Sequence, residues 1–407
     1  MSKLCDCVEI LDSKRIPLSE KQRRNKNKIY PYYGAQGIID YVDDYIFDGE
    51  YVLVAEDGNN LKSLKENIAI WVQGKFWVNN HAHILGKKKG YNLKYIYYIL
   101  NFLDLRRYVT GSAQPKLNQN NLANIEINIP DESIQNKIAG VLGAIDDKIR
   151  INKIISVELE EMAKTIYDYW FLQFEFPNED GKTYKSSDGK MVWSEELKRE
   201  IPEGWEIDFL GNLFTSKRGI SYNSKTIEGN GVPMINLASF NIDGSYKKEG
   251  IKIFSGQYTE DKIVKPFDLL MCNTQQTAID YKKDIIGKAF LVPDIFDSDI
   301  VTSHHITTIQ VKKDNIKYFL HRLFNTDYFH KYVAGFTNGT NILGLIFTGI
   351  EKYKLEVPDD RVLNKFAELM LDIEMQKSKI IKENQELASL RDFLLPLLMN
   401  GQVGFRE

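Results

Sequence analysis

Two similar α+β domains, each followed by one long helix, are what this sequence predicts. Three observations carry that prediction. The chain repeats itself at a nearly constant offset; each copy alternates short apolar runs with turn residues; and each copy ends in a long apolar heptad pattern. The repeat comes first because a missed period misreads the whole fold. Asn92-Leu93-Lys94-Tyr95-Ile96 matches Asn315-Ile316-Lys317-Tyr318-Phe319 at an offset of 223, and Val78-Asn79-Asn80-His81 matches Val301-Thr302-Ser303-His304 at the same offset. Tyr108 to Gly111 matches Tyr332 to Gly335 at 224, and Pro130-Asp131-Glu132 matches Pro358-Asp359-Asp360 at 228. Four matches in one order define a tandem duplication, with the drift placing extra residues between Gly335 and Gly344.

In the first copy, residues 1–129, Tyr51 to Val54, Ile68 to Val72 and Phe76 to Val78 are apolar runs separated by Asp57-Gly58 and Gln73-Gly74. Runs of that length between turn residues predict strands. A short amphipathic helix follows over Leu93 to Leu103. The second copy, residues 205–357, reads the same way at Ile251 to Phe254, Asp268 to Cys272 and Ile306 to Val311, with a helix over Ile316 to Phe324. A curved sheet is the expected centre of each.

The long helices are predicted over 130–175 and 358–400. Apolar positions recur at 134, 138, 141 and 145, then 155, 159, 162, 166 and 169; the second series is 362, 366, 369, 373, 380, 387, 390, 394 and 397. Steps alternating between four and three make a heptad seam. Pro130 and Pro358 precede acidic residues, which suits a helix N-terminus. Lys148 and Asn152 interrupt the first seam, Gln376 and Glu383 the second, as register-fixing polar groups do. A polar linker, 176–204, separates the copies, and a tail, 401–407, follows the second helix. The first helix carries the chain away from its domain by ~60 Å. The seams are therefore expected to pair antiparallel, with the two domains at opposite ends of a two-helix coiled coil. The pairing residues are Ile138, Ile145, Asn152, Leu159 and Ile166 on one helix, and Phe366, Ile373, Ile380, Leu387 and Leu394 on the other. The alternative, each helix packing on its own domain, is disfavoured because such a rod exceeds the span of a ~130-residue domain.

Composition bounds the function. With 43% hydrophobic and 27% charged residues the chain reads as globular. The longest apolar stretch, Tyr91 to Leu103, is too short to span a bilayer, and no secretory signal pattern opens the chain. Three cysteines, Cys5, Cys7 and Cys272, make neither a disulfide framework nor a four-ligand zinc site. A cytoplasmic protein is expected. The net charge of −3 hides a run from Lys14 to Lys28 holding seven Lys/Arg against one Glu; local potential, not the sum, governs binding.

Enzyme motifs are missing. Gly181-Lys182-Thr183 lacks the earlier glycine of a phosphate loop. Gly34 to Gly37 is too brief for a dinucleotide fingerprint, and no glycine-rich methyltransferase cofactor loop is found. Glu196-Leu197-Lys198 has no Pro-Asp upstream to complete a nuclease pattern. His81, His83 and the pair His304-His305 have no neighbouring cysteine or carboxylate set, so core or hydrogen-bonded roles are expected rather than metal ligation. The chain is expected to catalyse nothing alone and to hold no cofactor or metal.

Polar loops fit nucleic acid better. In the first copy the candidates are Arg23, Arg24, Lys26, Gln36, Asn59, Asn60, Lys87, Lys88, Lys89, Ser112, Gln114 and Lys116. In the second they are Lys217, Arg218, Asn273, Thr274, Gln275, Gln276, Lys282, Lys283, Asn338, Thr340 and Asn341. Lys and Arg contact phosphates, whereas Asn, Gln and Arg pair bidentately with base edges. Each loop alone also reads as a solvated turn. Together they are polar loops of different sequence at corresponding places of two copies, as different base preferences require.

The sequence resembles the specificity subunit of type I restriction-modification systems over nearly its whole length. The resemblance is carried by Ile201-Pro202-Glu203-Gly204-Trp205-Glu206-Ile207 with Leu210-Gly211, and by Pro31-Tyr32-Tyr33-Gly34-Ala35-Gln36-Gly37. The stretch from Gly111 to Leu117 running into Pro130-Asp131, and the ending Leu395-Pro396-Leu397-Leu398-Met399-Asn400-Gly401-Gln402-Val403, carry the rest. It implies two target-recognition domains, each reading half of a split DNA sequence. It also implies helices that act as spacer and dock two methyltransferase subunits. Those partners would hold S-adenosylmethionine and methylate adenine; restriction subunits using ATP and Mg would cleave unmodified DNA. One departure is the start at Leu4-Cys5-Asp6 without the Pro-x-Gly-Trp entry of the second domain.

Overall fold

The computed structural model describes residues 1–24, 26–63, 66–111, 114–276, 284–340 and 342–405. The chain divides into two compact units: Met1–Ile151 with Gln385–Glu407, and Asn152–Asn384. The division cuts both long helices, so each unit holds one α+β domain, or head, and part of each helix.

In unit 1 a six-stranded sheet has the order Val8–Ile10, Ala82–Lys87, Phe47–Ala55, Ala69–Val78, Tyr30–Gly34, Gly37–Val42. Neighbours are antiparallel except Tyr30–Gly34 with Ala69–Val78, where Tyr32 lies beside Trp77. The helix Leu93–Phe102 covers the sheet. Asn92 caps it by accepting from the Tyr95 amide at 2.9 Å, and it buries Tyr95, Ile96, Ile99 and Leu100. These join Leu4, Val52, Val54, Leu85 and Leu122 in one core.

Unit 2 repeats the first four strands in the same order as Phe214–Arg218, Ile306–Val311, Leu269–Cys272, Ala289–Leu291. Its second sheet, Lys252–Phe254, Val232–Ile235, Ile300–Thr302, Ile263–Val264, is separate. The ten-residue strand Ala69–Val78 of unit 1 corresponds to two strands here, Ala289–Leu291 and Ile300–Thr302. Val292 to Asp299 intervene, with Pro293 unable to donate to a ladder. The parallel contact survives: Met234 lies beside Val301 as Tyr32 does beside Trp77. Two similar α+β domains are thus present, the second enlarged by insertion.

The long helices run over Glu132–Tyr167 and Asp360–Met399. Asp131 and Asp359 cap them, accepting from the amides of Ile134 and Val362 at 2.9 Å each. The helix segments run antiparallel within each unit. In unit 1, Ile138 and Leu142 share a core with Leu398, while Asp146 meets Arg391 at 3.0 Å. In unit 2, Trp170 packs on Phe366 with ring centres 5.7 Å apart, Glu160 meets Lys377 at 2.7 Å, and Asn152 donates to Glu383 and Asn384 at 2.7 and 2.9 Å.

Two expectations need correction. The seam is shifted by one residue along one of its two lines. Ile138, Ile145, Leu159, Phe366 and Ile373 are buried, Ile166 and Ile380 pack partly buried against the core of unit 2, and Leu387 and Leu394 are half-buried. However, Ile134, Val141, Ile155, Met162, Tyr169, Leu369 and Leu390 are exposed, and Leu142, Ala163 and Met370 are buried instead. Each helix packs on a head as well as on the other helix. That demands a wider buried arc, at i, i+4 and i+7, than the narrow heptad stripe. The alternative of a helix folded on its own domain therefore holds in part.

The second correction concerns 176–204, which is not a polar linker. Met191–Ser194 and Arg199–Pro202 form an antiparallel hairpin. Phe176 stacks on Tyr184 and Trp205 at 4.5 and 5.3 Å, and with Ile201 and Phe174 enters the core of unit 2. A few large rings, each contributing roughly 1.5–3 kcal/mol on burial, anchor a strap whose remaining residues are polar. The first helix ends earlier than expected: a wider-wound turn over Asp168–Leu172 follows Tyr167, and Phe174 adopts φ 62°.

Candidate nucleic-acid interface

In unit 1 four loops converge at one end of the sheet. Glu56 N–H donates to the His81 carbonyl at 2.9 Å, and Leu117 N–H to the Glu56 carbonyl at 2.8 Å. Lys62 Nζ donates to the Gly111 carbonyl at 3.2 Å, Gly58 N–H to the Pro115 carbonyl at 3.4 Å, and a Cβ on Gly58 would approach Gln36. Gln36, Asn59, Gln114 and Lys116 are exposed here.

Arg15 organises the loops from behind. Its Nη1 reaches the carboxylate of Glu56 at 2.8 Å and the carbonyls of Asn80 and Ala82 at 3.3 and 3.0 Å. Lys116 meets Glu56 from the other side at 3.2 Å. Burial opposes ionisation of Glu56, but Arg15 and Lys116 outweigh it and hold its carboxyl below the usual range. Beneath lies His83, buried, with Nδ1 2.5 Å from Asp12 and Nε2 2.7 Å from the Leu117 carbonyl. Asp12 is likewise held low: burial is outweighed by His83, the Ile84 amide and Arg15.

Unit 2 builds the same frame with other residues. The ladders equate Ala55 opposite Ala82 with Cys272 opposite Ile306. Asn273 then takes the place of Glu56: its N–H donates to the His305 carbonyl at 3.0 Å, and its carbonyl accepts from Leu345 N–H at 2.9 Å. Thr307 stands where His83 does and takes a 2.7 Å bond from Asn273 Nδ2. Arg218 Nε donates to the His304 carbonyl at 2.8 Å, as Arg15 does to Asn80. Gly111 and Gly339 occupy the same turn at φ 83° and 120°; a Cβ would strike the carbonyl of Gln114 or Ile342. Structure thus pairs His81 with His305 and Gly111 with Gly339. The sequence match paired them with His304 and Gly335; the strand register is offset by one residue at the histidine, and the extra residues of the second copy lie before the Gly339 turn.

Beside Arg218, the rings of His304 and His305 stand 3.8 Å apart, and Lys252 donates to Tyr222 at 2.9 Å. Burial first, then the positive surroundings of His304, Arg218 and Lys252, push His305 down to about 4. Lys217 pairs with Asp261 at 2.6 Å.

The candidates separate accordingly. Gln36, Asn59, Gln114 and Lys116 come together, as do Arg218, Thr274, Asn338 and Thr340 around the loops of unit 2, with Gln275 and Gln276 in the strand Thr274–Gln276 paired to Ile342–Leu345. Asn60 and Asn273 are buried and hold loops, donating to the Asn67 carbonyl and to Thr307. The basic run is largely neutralised within unit 1: Arg23 meets Asp40 at 2.9 Å, Lys28 meets Asp40 at 2.8 Å, Lys26 meets Asp43 at 2.5 Å and Arg24 meets Glu20 at 2.7 Å. Those acids, mostly distant in sequence, were invisible to a count of the run. Lys87, Lys88 and Lys89 lie at the opposite end of Ala82–Lys87 from the loops, and Lys88 donates to the Cys5 carbonyl at 3.1 Å. Ser112, Lys282, Lys283 and Asn341 fall outside the described residues. Sequence reasoning missed Arg15, His81, His305, Tyr222 and Lys252. The recurrence of histidine at one place of both copies was the signal available. No group of metal-binding side chains occurs among the described residues.

Two copies of one loop frame with different side chains define a duplicated recognition protein, and comparison with known proteins places it. The profile of the family described as Type I restriction modification DNA specificity domain matches residues 1–161 and 202–387. The chain belongs to that family and carries the domain twice; DNA sequence recognition is its role at that level. A putative type I restriction enzyme specificity subunit of Haemophilus influenzae is 37% identical over 142 residues, covering 35% of this chain and 36% of that protein. The MjaIX specificity subunit of Methanocaldococcus jannaschii is 24% identical over 387 residues, covering 88% and 85%. The crystal structure of an S subunit from M. genitalium superposes with a TM-score of 0.60 at 14% identity, covering 98% of this chain and 95% of that one, a likeness of fold. Among the described residues no helix is long and apolar enough to cross a membrane.

Proposed function

We propose that each unit applies its converging loops to one half of a bipartite DNA target. The two long helices serve as the spacer that fixes the unread gap. The observation that carries this reading is the shared frame, Glu56–His81–Leu117 against Asn273–His305–Leu345, bearing unlike exposed side chains. A constant frame with variable readers gives two different half-sites. The exposed apolar residues of the helices, Ile134, Val141, Leu390 and Phe393 in unit 1 and Ile155, Val157, Met162 and Leu369 in unit 2, support docking of methyltransferase subunits. Those partners would supply S-adenosylmethionine, and restriction subunits ATP and Mg; this chain contributes recognition, in the cytoplasm.

Methylome mapping of a host carrying this chain with its methyltransferase tests the proposal. Exchanging the second domain, 205–357, for that of another specificity subunit should change one half-site alone. Removing matched turns from both helices should change the gap alone. Half-sites that change together with the gap overturn the division of labour, and a chain with no salt-dependent DNA binding in that complex is a protein scaffold instead.

A further inference from the structure

One histidine of each unit, exposed at 81 and half-buried at 305, is held through its Nδ1 by a residue of the neighbouring loop. The ladders make His81 equivalent to His305 and Asp57 equivalent to Thr274. The same contact joins each pair: His81 Nδ1 to Asp57 Oδ2 at 2.6 Å, and His305 Nδ1 to Thr274 Oγ1 at 2.7 Å. Among the described residues the Nε2 of neither ring has a hydrogen-bond partner. The His81 side chain is 51% exposed.

The two partners differ in what they permit. A carboxylate accepts only, so Asp57 requires the proton on His81 Nδ1; the neutral ring then offers Nε2 as an acceptor. A hydroxyl also donates. When Thr274 Oγ1–H donates its hydrogen bond to Nδ1, the neutral His305 carries its own proton on Nε2, which becomes a donor. Burial first, then His304, Arg218 and Lys252, disfavour a further positive charge there and keep His305 neutral.

We infer that His81 and His305 are equivalent base-reading residues of opposite polarity, with Asp57 and Thr274 as the positioning residues that set each one's tautomer. This rests on the loops facing DNA, as proposed above. An acceptor at Nε2 selects the amino groups of adenine or cytosine. A donor selects the acceptors of guanine or thymine, or adenine N7. Each head thus carries one reader whose preference is inverted by a single residue behind it.

The test is methylome mapping with the full chain and its methyltransferase, comparing wild type with His305→Ala, His305→Gln, Thr274→Asp and, in unit 1, His81→Ala and Asp57→Thr. Each histidine variant should relax one base position of one half-site, with discrimination there falling roughly tenfold, the scale of one base-edge hydrogen bond. Thr274→Asp should keep discrimination but move the preferred base toward one bearing an amino group; Asp57→Thr should move its position the opposite way. A merely structural role for residues 57 and 274 would weaken recognition without changing which base is preferred. His305→Gln preserves a polar side chain should His305→Ala not fold. If both histidine variants leave every position unchanged, the rings read nothing and the inference fails, while a domain exchange that still switches one half-site leaves the broader reading intact. If the histidines matter but Thr274→Asp and Asp57→Thr preserve base identity, the tautomer control is overturned.

Discussion

Charge lies behind the recognition loops in unit 1 and beside the helices in unit 2. In unit 1 the loops are tied by Arg15, Glu56, Lys116, Asp12 and His83, while the helix contact is lighter: Tyr98 donates to Asp146 at 2.6 Å, and Arg391 pairs with Asp146. In unit 2 Arg218 holds one loop carbonyl, and the other loop contacts join neutral partners, Asn273 with Thr307 and Thr274 with His305. There the helix contact holds Arg322 between Glu160 and Glu374, with Lys377 touching both acids. Arg322 is 5% and Glu374 10% exposed by side chain, against 30% and 24% for Arg391 and Asp146. Burial would raise the Glu160 carboxyl, but Arg322 and Lys377 hold it well below its usual range. A duplicated fold therefore needs fixed geometry at both contacts, but not the same chemistry at either.

The largest expected effect follows from that burial. Arg322→Met leaves the buried Glu374 and the half-exposed Glu160 with Lys377 alone and should cost ~3 kcal/mol, the lower end for breaking a buried ion pair. Arg391→Met, at the half-exposed counterpart, should cost about 1 kcal/mol or less. Denaturant melts of both variants measure the contrast; equal losses would mean that the two helix contacts do the same work.

Next comes the loop frame. Arg15→Ala removes four hydrogen bonds and the ion pair with Asp12, and leaves Glu56 with Lys116, which should cost about 2–3 kcal/mol. Arg218→Ala removes one bond to a carbonyl and should cost about 1 kcal/mol. Hydrogen exchange should show residues 56–62, 79–82 and 114–117 loosening in the first variant, with unit 2 unaffected. Methylation at the first half-site should relax in step.

Much of this was legible in the sequence, for identifiable reasons. The duplication, the capped helix starts at Asp131 and Asp359 and the strand runs are local or periodic signals that the chain cannot hide. The polar layer of Asn152 with Glu383 was legible as two interruptions of a seam. What was not legible depends on partners far apart in sequence. Asp40 pairs with both Arg23 and Lys28, so the free charge of the basic run is smaller than its count. Met370 replaces Leu369 in the core because the helix also meets a head. Arg15 sits inside the basic run, yet its contacts with three carbonyls and two carboxylates make it a loop anchor; nothing in the composition of the run distinguishes it from Arg24.

Acid separates the units in a third way. His305, pushed down to about 4, and His321, buried and held well below its ordinary range first by burial and then by Arg322, both lie in unit 2. Their folded values are below the unfolded value of about 6.5, so the unfolded chain binds protons first as pH falls. The stability they contribute is complete above pH ~6.5 and declines below it, that of His305 being lost as pH falls toward about 4. Asp12 and Glu56 of unit 1 are also depressed, but as carboxylates, so their contribution is lost only below the carboxylate range near 4. Hydrogen exchange between pH 7 and 5 should therefore show unit 2 opening before unit 1, and His321→Phe should narrow the difference. Simultaneous opening would place the acid-sensitive groups elsewhere.

The smallest expected change in stability sits where the proposed partner surface is. Phe393 in unit 1 and Val157 in unit 2 are 65% and 61% exposed, the most exposed large apolar side chains of their helices. Replacing an exposed apolar side chain removes almost no buried area, so Phe393→Gln and Val157→Gln should shift stability by no more than ~0.5 kcal/mol. If methyltransferase subunits cover these helices, each ring or branched chain is desolvated only in the complex, and its loss should weaken association tenfold or more. The pairing of unchanged melts with weakened assembly is the signature, and doing it in each unit separately asks whether the duplication extends to the docking surface. Loss of assembly from one variant alone would make the helix surfaces as unlike as the loops. Unchanged assembly from both would move docking onto the heads.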